Sequence, residues 1–124
     1  MNILLADDDS KIHLIIRMWL QNQGHEVTCT ANGKSALELL EQTNYDCLIT
    51  DVNMPLMSGV ELIEKALKLP NAPKTIVVMT SRCDVEQIKN RLDNPKIHVF
   101  NKPFSPKILT ELITNIEEQK APST

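Results

Sequence analysis

Short runs of consecutive apolar residues alternate along this chain with longer stretches in which apolar residues recur every three or four positions. The runs Ile3–Ala6, Val27–Ala31, Tyr45–Thr50, Thr75–Met79 and Ile97–Phe100 are each too short for a helix and read as strands covered on both faces. Thr75–Met79 is the most β-branched of them and the firmest strand. After the first run, Ile12, Ile15, Ile16, Trp19 and Leu20 fall at i, i+3, i+4, i+7 and i+8, which predicts one buried helical stripe with Trp19 in the core. Comparable stripes follow: Ala36, Leu37, Leu39 and Leu40; then Leu62, Ile63, Ala66 and Leu67; and last Ile108, Leu109, Leu112, Ile113 and Ile116. Between Asp84 and Leu92 the stripe thins to Val85, Ile88 and Leu92, so this helix is expected to be the most loosely docked.

The punctuation agrees with that division. Asp7-Asp8-Asp9-Ser10 opens the first helix, with Asp9 as its cap, and Gly24 stops it. Asn32 is placed to cap the second helix, and Pro70-Asn71-Ala72-Pro73 ends the third. Asn94-Pro95 breaks the fourth, and Ser105-Pro106 supplies a cap and a first-turn proline for the fifth. Five strands alternating with five helices predict an α/β fold, a doubly wound five-stranded parallel sheet with helices on both faces. Residues 1–120 form one domain in this reading, and 121–124 a disordered tail.

Composition narrows the function. A net charge of −3 offers no global basic field for nucleic acid, and no apolar run approaches a membrane span. Cys29, Cys47 and Cys83 are odd in number and unpaired in spacing, as expected of reduced thiols in a cytoplasmic protein. His13, His25 and His98 share no metal-ligand spacing and read as surface or boundary residues; Lys89, Arg91 and Lys96 read as a solvated face.

In a parallel α/β sheet every strand ends on one edge, where ligands bind. Asp7 and Asp8 follow the first strand, Asp51 ends the third, Thr80 the fourth and Lys102 the fifth, so five chemically capable side chains are expected to converge there. Like charges about 4 Å apart repel by roughly 4 kcal/mol in a partly shielded site, so three carboxylates beside one lysine call for a further cation. All-oxygen surroundings favour a hard ion, Mg²⁺ first, for which Mn²⁺ can substitute. A carboxylate nucleophile, a metal, a lysine and a hydroxyl are what phosphoryl transfer to an aspartate requires.

The segments ILLADDDS, ITDVNMPLMSG, VVMTS and NKPF carry this set in order, and in them the chain resembles a response-regulator receiver domain of two-component signalling, similar to the chemotaxis response regulators, over essentially its full length. The resemblance implies the flavodoxin-like three-layer sandwich with strand order 2-1-3-4-5. It implies Asp51 as phosphoacceptor, Asp8 as direct metal ligand, Asp7 acting through water, and the Asn53 backbone carbonyl as a further ligand. Thr80 becomes the switch hydroxyl, Lys102 the phosphoryl-binding amine, and Pro103 holds the preceding peptide cis. Asn53 and Arg82 fall where the family tunes phosphoryl lifetime. The implied donor is a sensor histidine kinase or histidine phosphotransfer protein, and output passes to a protein target through the 84–118 face or through a phosphorylation-dependent homodimer. Direct nucleic-acid or membrane binding is not expected.

Two departures stand out. Val99 occupies the position where the family usually carries an aromatic, and Phe100 lies one residue on, so it points to the opposite face. Asn94-Pro95-Lys96 replaces the common Gly-Ala before the fifth strand. Two other functions compete. An aspartyl-phosphate-forming phosphatase would need a hydroxyl where Lys11 stands, and a phosphate-insensitive docking module would have no need of Asp51, Thr80 and Lys102 together.

Overall fold

Five parallel strands line up in the order β2-β1-β3-β4-β5. They are β1 (Asn2–Ala6), β2 (Glu26–Thr30), β3 (Cys47–Asp51), β4 (Thr75–Ser81) and β5 (Ile97–Lys102). Five helices connect and follow them: α1 (Ser10–Asn22), α2 (Gly33–Gln42), α3 (Gly59–Ala66), α4 (Val85–Arg91) and α5 (Pro106–Lys120). The computed structural model describes residues 1–81, 84–102 and 105–120, with the side chains of Ser81, Lys102 and 118–120 excepted. The expectations placed on Arg82, Cys83, the Pro103 peptide and the 121–124 tail therefore lie outside the described residues.

Strand alternation divides each apolar run between two cores. Leu4, Leu48, Ile76 and Val78 face Leu40, Leu62, Ile63 and Ile88, so α2, α3 and α4 cover one side. Ile3, Leu5, Ile49, Val77 and Met79 face Ile16, Leu20, Leu109 and Ile113, so α1 and α5 cover the other. Adjacent residues of β5 obey the same rule: Val99 packs into the α2–α3–α4 core and Phe100 into the α1–α5 core. The expected caps of the first two helices form. Asp9 accepts from the Lys11 amide at 2.9 Å and Asn32 from the Ser35 amide at 2.8 Å. Gly24 leaves α1 at φ +88°, where a side chain would be strained.

Four burial expectations need correction. Ile15 and Trp19 are 45% and 40% exposed, not core, and Ile108 of α5 is 55% exposed. Only Ile16 and Leu20 of α1 are fully covered. The 3.6 period says which residues share a face but not how wide a strip the neighbours cover. Ile15 sits about 100° around the helix from Ile16, beyond the reach of the sheet. His25, in contrast, is buried rather than at the boundary. It packs under the amino terminus, with Nδ1 3.0 Å from the Met1 amine and 3.8 Å from a Glu117 carboxylate oxygen. Helix α4 offers a single buried residue, Ile88, with Leu92 buried just past its end. Its Arg91 reaches Glu64 of α3 at 2.9 Å, an exposed pair.

Two outcomes follow from this packing. Leu20→Ala is expected to cost about 2–5 kcal/mol in urea unfolding, whereas Met18→Ala, on the exposed arc of the same helix, stays within about 0.5 kcal/mol. Burial, reinforced by the amino-terminal ammonium and opposed by Glu117, holds His25 below the ordinary histidine value. Below about pH 6.5 the unfolded chain therefore binds the extra proton first, and stability falls as pH drops through that window. The urea midpoint should decline between pH 7 and pH 5, and less steeply in His25→Gln.

Candidate functional site

Parallel topology brings the carboxyl ends of β1, β3, β4 and β5 to one edge, and the residues just beyond them build the site. Asp7 follows β1. Its amide donates to the Thr30 carbonyl at 3.0 Å, and its Oδ1 accepts from the Asp9 amide at 2.9 Å, which holds the carboxylate inward at 1% exposure. Asp8 beside it is exposed. Asp51 is the last residue of β3 and only 6% exposed. Its Oδ1 accepts from the Val52 amide at 2.8 Å, and the Thr50 hydroxyl donates to its carbonyl at 2.9 Å.

The chain leaving Asp51 is held by backbone contacts. The Gly59 amide donates to the Val52 carbonyl at 2.8 Å, and a Cβ on Gly59 would stand only 1.9 Å from the Asp51 carbonyl oxygen. No side chain fits there, so α3 starts directly against the end of β3. A Cβ on Gly33, at the start of α2, would meet the Met57 carbonyl oxygen at 2.4 Å. Between these contacts the Met57 amide donates to Pro55 O at 2.8 Å across Leu56, which takes φ +69°. That is a γ-turn of the strained hand on a non-glycine residue, and it leaves the Leu56 side chain 78% exposed. Reading the sequence assigned no role to Gly33, Gly59 or Leu56. Pro55 and Gly59 mark a loop after Asp51, but neither the close approaches of the two glycines nor the turn at Leu56 is visible in it.

Asp7, Asp8 and Asp51 come together as expected, each offering an oxygen within 4.8 Å of the other two. At that separation each pair repels by roughly 3–4 kcal/mol in a partly shielded setting, and an all-oxygen donor set of this charge can hold a hard divalent cation. Thr80 lies one residue beyond Met79, the β4 partner of Asp51 in the sheet register. It is 2% exposed, and its hydroxyl has no hydrogen-bond partner. Such a group costs about 1–3 kcal/mol while unsatisfied, so its hydroxyl is suited to an arriving acceptor. The Lys102 backbone ends β5 opposite Ser81, on the same edge; its side chain lies outside the described residues. Asn53 is exposed, two residues past Asp51.

Residues 3–114 match the response regulator receiver domain family. The chain is 29% identical over 116 residues to the probable transcriptional regulator ycf29 of Porphyra purpurea, covering 93% of this chain and 56% of that protein. It is 28% identical over 105 residues to the transcriptional regulatory protein SrrA of Staphylococcus aureus, covering 85% of this chain and 43% of that one. The chain thus spans about half the length of the curated relatives it matches. Among solved structures, the receiver domain of the Francisella response regulator 1452 superposes with a TM-score of 0.81 at 27% identity, covering 95% of this chain and 97% of that one. The receiver domain of the Pseudomonas aeruginosa sensor histidine kinase PA1611 has the same fold, with a TM-score of 0.79 at 23% identity over 92% of this chain and 94% of that one; its active-site cleft coordinates a magnesium ion. This chain therefore belongs to the response regulator receiver domains, the CheY-like modules of two-component signalling, and its order 2-1-3-4-5 is theirs. Among the described residues no helix is long and apolar enough to cross a membrane.

Because the acidic trio repels itself, a divalent ion should raise the melting temperature, by the equivalent of about 2.7 kcal/mol at a hundredfold excess over its Kd. Asp8→Asn should melt higher than the wild type without metal and gain little from added Mg²⁺, as read by a thermal melt against metal concentration.

Proposed function

We propose that this domain is a phosphorylation-dependent signalling switch that takes a phosphoryl group from phosphohistidine onto Asp51. The supporting observation is the meeting of three carboxylates from two strand ends beside a buried hydroxyl that lacks an acceptor. In the transfer, a carboxylate oxygen of Asp51 bonds to phosphorus as the phosphorus–nitrogen bond breaks, and the electron pair returns to the donor imidazole. The Val52 amide, by holding Oδ1, orients the carboxylate for in-line approach. Asp7, Asp8, Asp51 and the Asn53 carbonyl would hold Mg²⁺, or Mn²⁺ in its place, and the ion would supply charge neutralisation for the phosphoryl oxygens. Thr80 donates to one of those oxygens, and the Lys102 ammonium pairs with another.

The donor in this reading is a sensor histidine kinase or a histidine phosphotransfer protein, met in the cytoplasm. Once Thr80 turns toward the new charge, the thinly anchored α4 and the adjoining β5 have reason to repack, and the 84–118 face changes its affinity for a target or for a second copy. An inward swing of an aromatic beside α4 is not part of this output, since Val99 holds that position and Phe100 packs on the opposite side of the sheet. Arg82 and Asn53 set the lifetime of the aspartyl phosphate.

Incubation with a small phosphodonor and Mg²⁺ should add one phosphoryl group by intact mass, and none in Asp51→Asn or without metal. An unmodified wild-type chain would overturn the reading. Arg82→Ala should lose its phosphoryl group faster than the wild type; an equal rate would remove Arg82 from the account.

A further inference from the structure

At the edge of the sheet opposite the acidic trio, three donor atoms from distant parts of the chain face one another. Met1 precedes β1, His25 precedes β2, and Glu117 lies in the last turns of α5. The Met1 amine stands 3.0 Å from His25 Nδ1 and 3.3 Å from Glu117 Oε2, and those two atoms are 3.8 Å apart. The point equidistant from three atoms so spaced lies about 2.0 Å from each. Zinc bonds to nitrogen and to carboxylate oxygen at about 2.0–2.2 Å, so the triangle closes on the radius of a coordination sphere.

The donors are also aimed and charged for such a centre. An ammonium can only donate, so His25 Nδ1 accepts, and its lone pair already points at the amine. Burial, with the amino-terminal charge, holds the ring toward its neutral form, the one in which imidazole binds metal. The Met1 and His25 side chains are buried, which fixes two donors, while the half-exposed Glu117 is free to close on an arriving ion. A groove of about 180 Å³ opens beside them, lined by Met1, Asp46, Lys74 and Glu117, and gives water access to a fourth position. Asp46, which accepts from the Asn2 amide at 2.8 Å, and Lys74 bring opposite charges to that groove.

We infer that the Met1 amine, His25 Nδ1 and Glu117 Oε2 form a second metal site, one for a borderline divalent transition ion such as Zn²⁺ rather than Mg²⁺. Two nitrogens and a single carboxylate suit that class, whereas the acidic trio offers oxygen alone. On binding, the ammonium gives up a proton to solvent and the ion takes its place among the three groups. The ion then ties together the amino terminus, the turn before β2 and the end of α5. Asp7 lies at the far end of β1, about 20 Å away along the strand, so this site is separate from the chemistry at Asp51.

Zinc also has affinity for the acidic trio and for free thiols such as Cys29 and Cys47, so the test uses the full chain carrying Asp8→Asn. Calorimetric titration should show one Zn²⁺ bound per chain and no comparable binding of Mg²⁺. Glu117→Gln, at an exposed position, should raise the Kd at least about tenfold, the scale of a lost partner at a metal site. An Nα-acetylated chain, whose terminal nitrogen has no lone pair to give, should do the same. In NMR spectra the ring nitrogens of His25 should shift on zinc addition and those of His13 and His98 should not, a signature that a merely structural contact would not give. A chain that binds no Zn²⁺ overturns the inference. So does zinc binding that survives both Glu117→Gln and acetylation, which would place the ion on thiols or other histidines, or Mg²⁺ bound as tightly as Zn²⁺. Phosphorylation of Asp51 by a small donor is a separate measurement that none of these outcomes changes.

Discussion

Three carboxylates held within 4.8 Å of one another are the constraint around which the rest of this molecule is arranged. Left to itself the chain would separate them, since each pair costs several kcal/mol. They stay because their backbones are committed elsewhere: Asp7 by the β1–β2 register and Asp51 by the strands on either side of β3. Stability in the buried sheet thus offsets local repulsion at its rim. The same pressure gives a cation its affinity there, and the buried, unsatisfied Thr80 hydroxyl adds a second unmet demand on the same edge. A site strained in both senses is relieved by a ligand that brings positive charge and acceptor oxygens together.

The loop that leaves Asp51 shows how little tolerance this arrangement has. Gly59 closes against the Asp51 carbonyl and Gly33 against the Met57 carbonyl, so α2, α3 and the end of β3 meet through backbone rather than through adaptable side chains. The intervening turn is completed only by placing Leu56 at positive φ. Rigid backbone beside an acidic residue keeps its carboxylate in place against the repulsion of its charged neighbours. Helix α4 is the opposite case. With one buried residue and an exposed ion pair to α3, it is the element most easily displaced.

The two layers of the molecule also differ in what they leave uncovered. Helices α2 and α3 spend their apolar stripes on the sheet and on each other, and expose almost none of it. Helix α1 buries Ile16 and Leu20 and turns an equally apolar arc outward. Those outward residues sit at the same helical spacing as the inward ones, so the pattern alone could not separate covered positions from exposed ones.

Strand and helix order, both sheet faces, the caps at Asp9 and Asn32, and the candidates Asp7, Asp8, Asp51 and Thr80 were all determined by the sequence. Each follows from local periodicity, or from the rule that parallel strands end on one edge. The breadth of burial was not determined, and for this reason Ile15, Trp19 and Ile108 were placed in the core when they lie outside it. His25 is buried under the amino terminus, 3.0 Å from the Met1 amine, a contact that no local pattern names. The tertiary structure alone decided the approach of Gly59 to Asp51 and the strained turn at Leu56, while the separation of Val99 from Phe100 into different cores was already legible in strand alternation. Periodicity records which residues face the same way. What they face, and how closely, is settled only when distant segments meet.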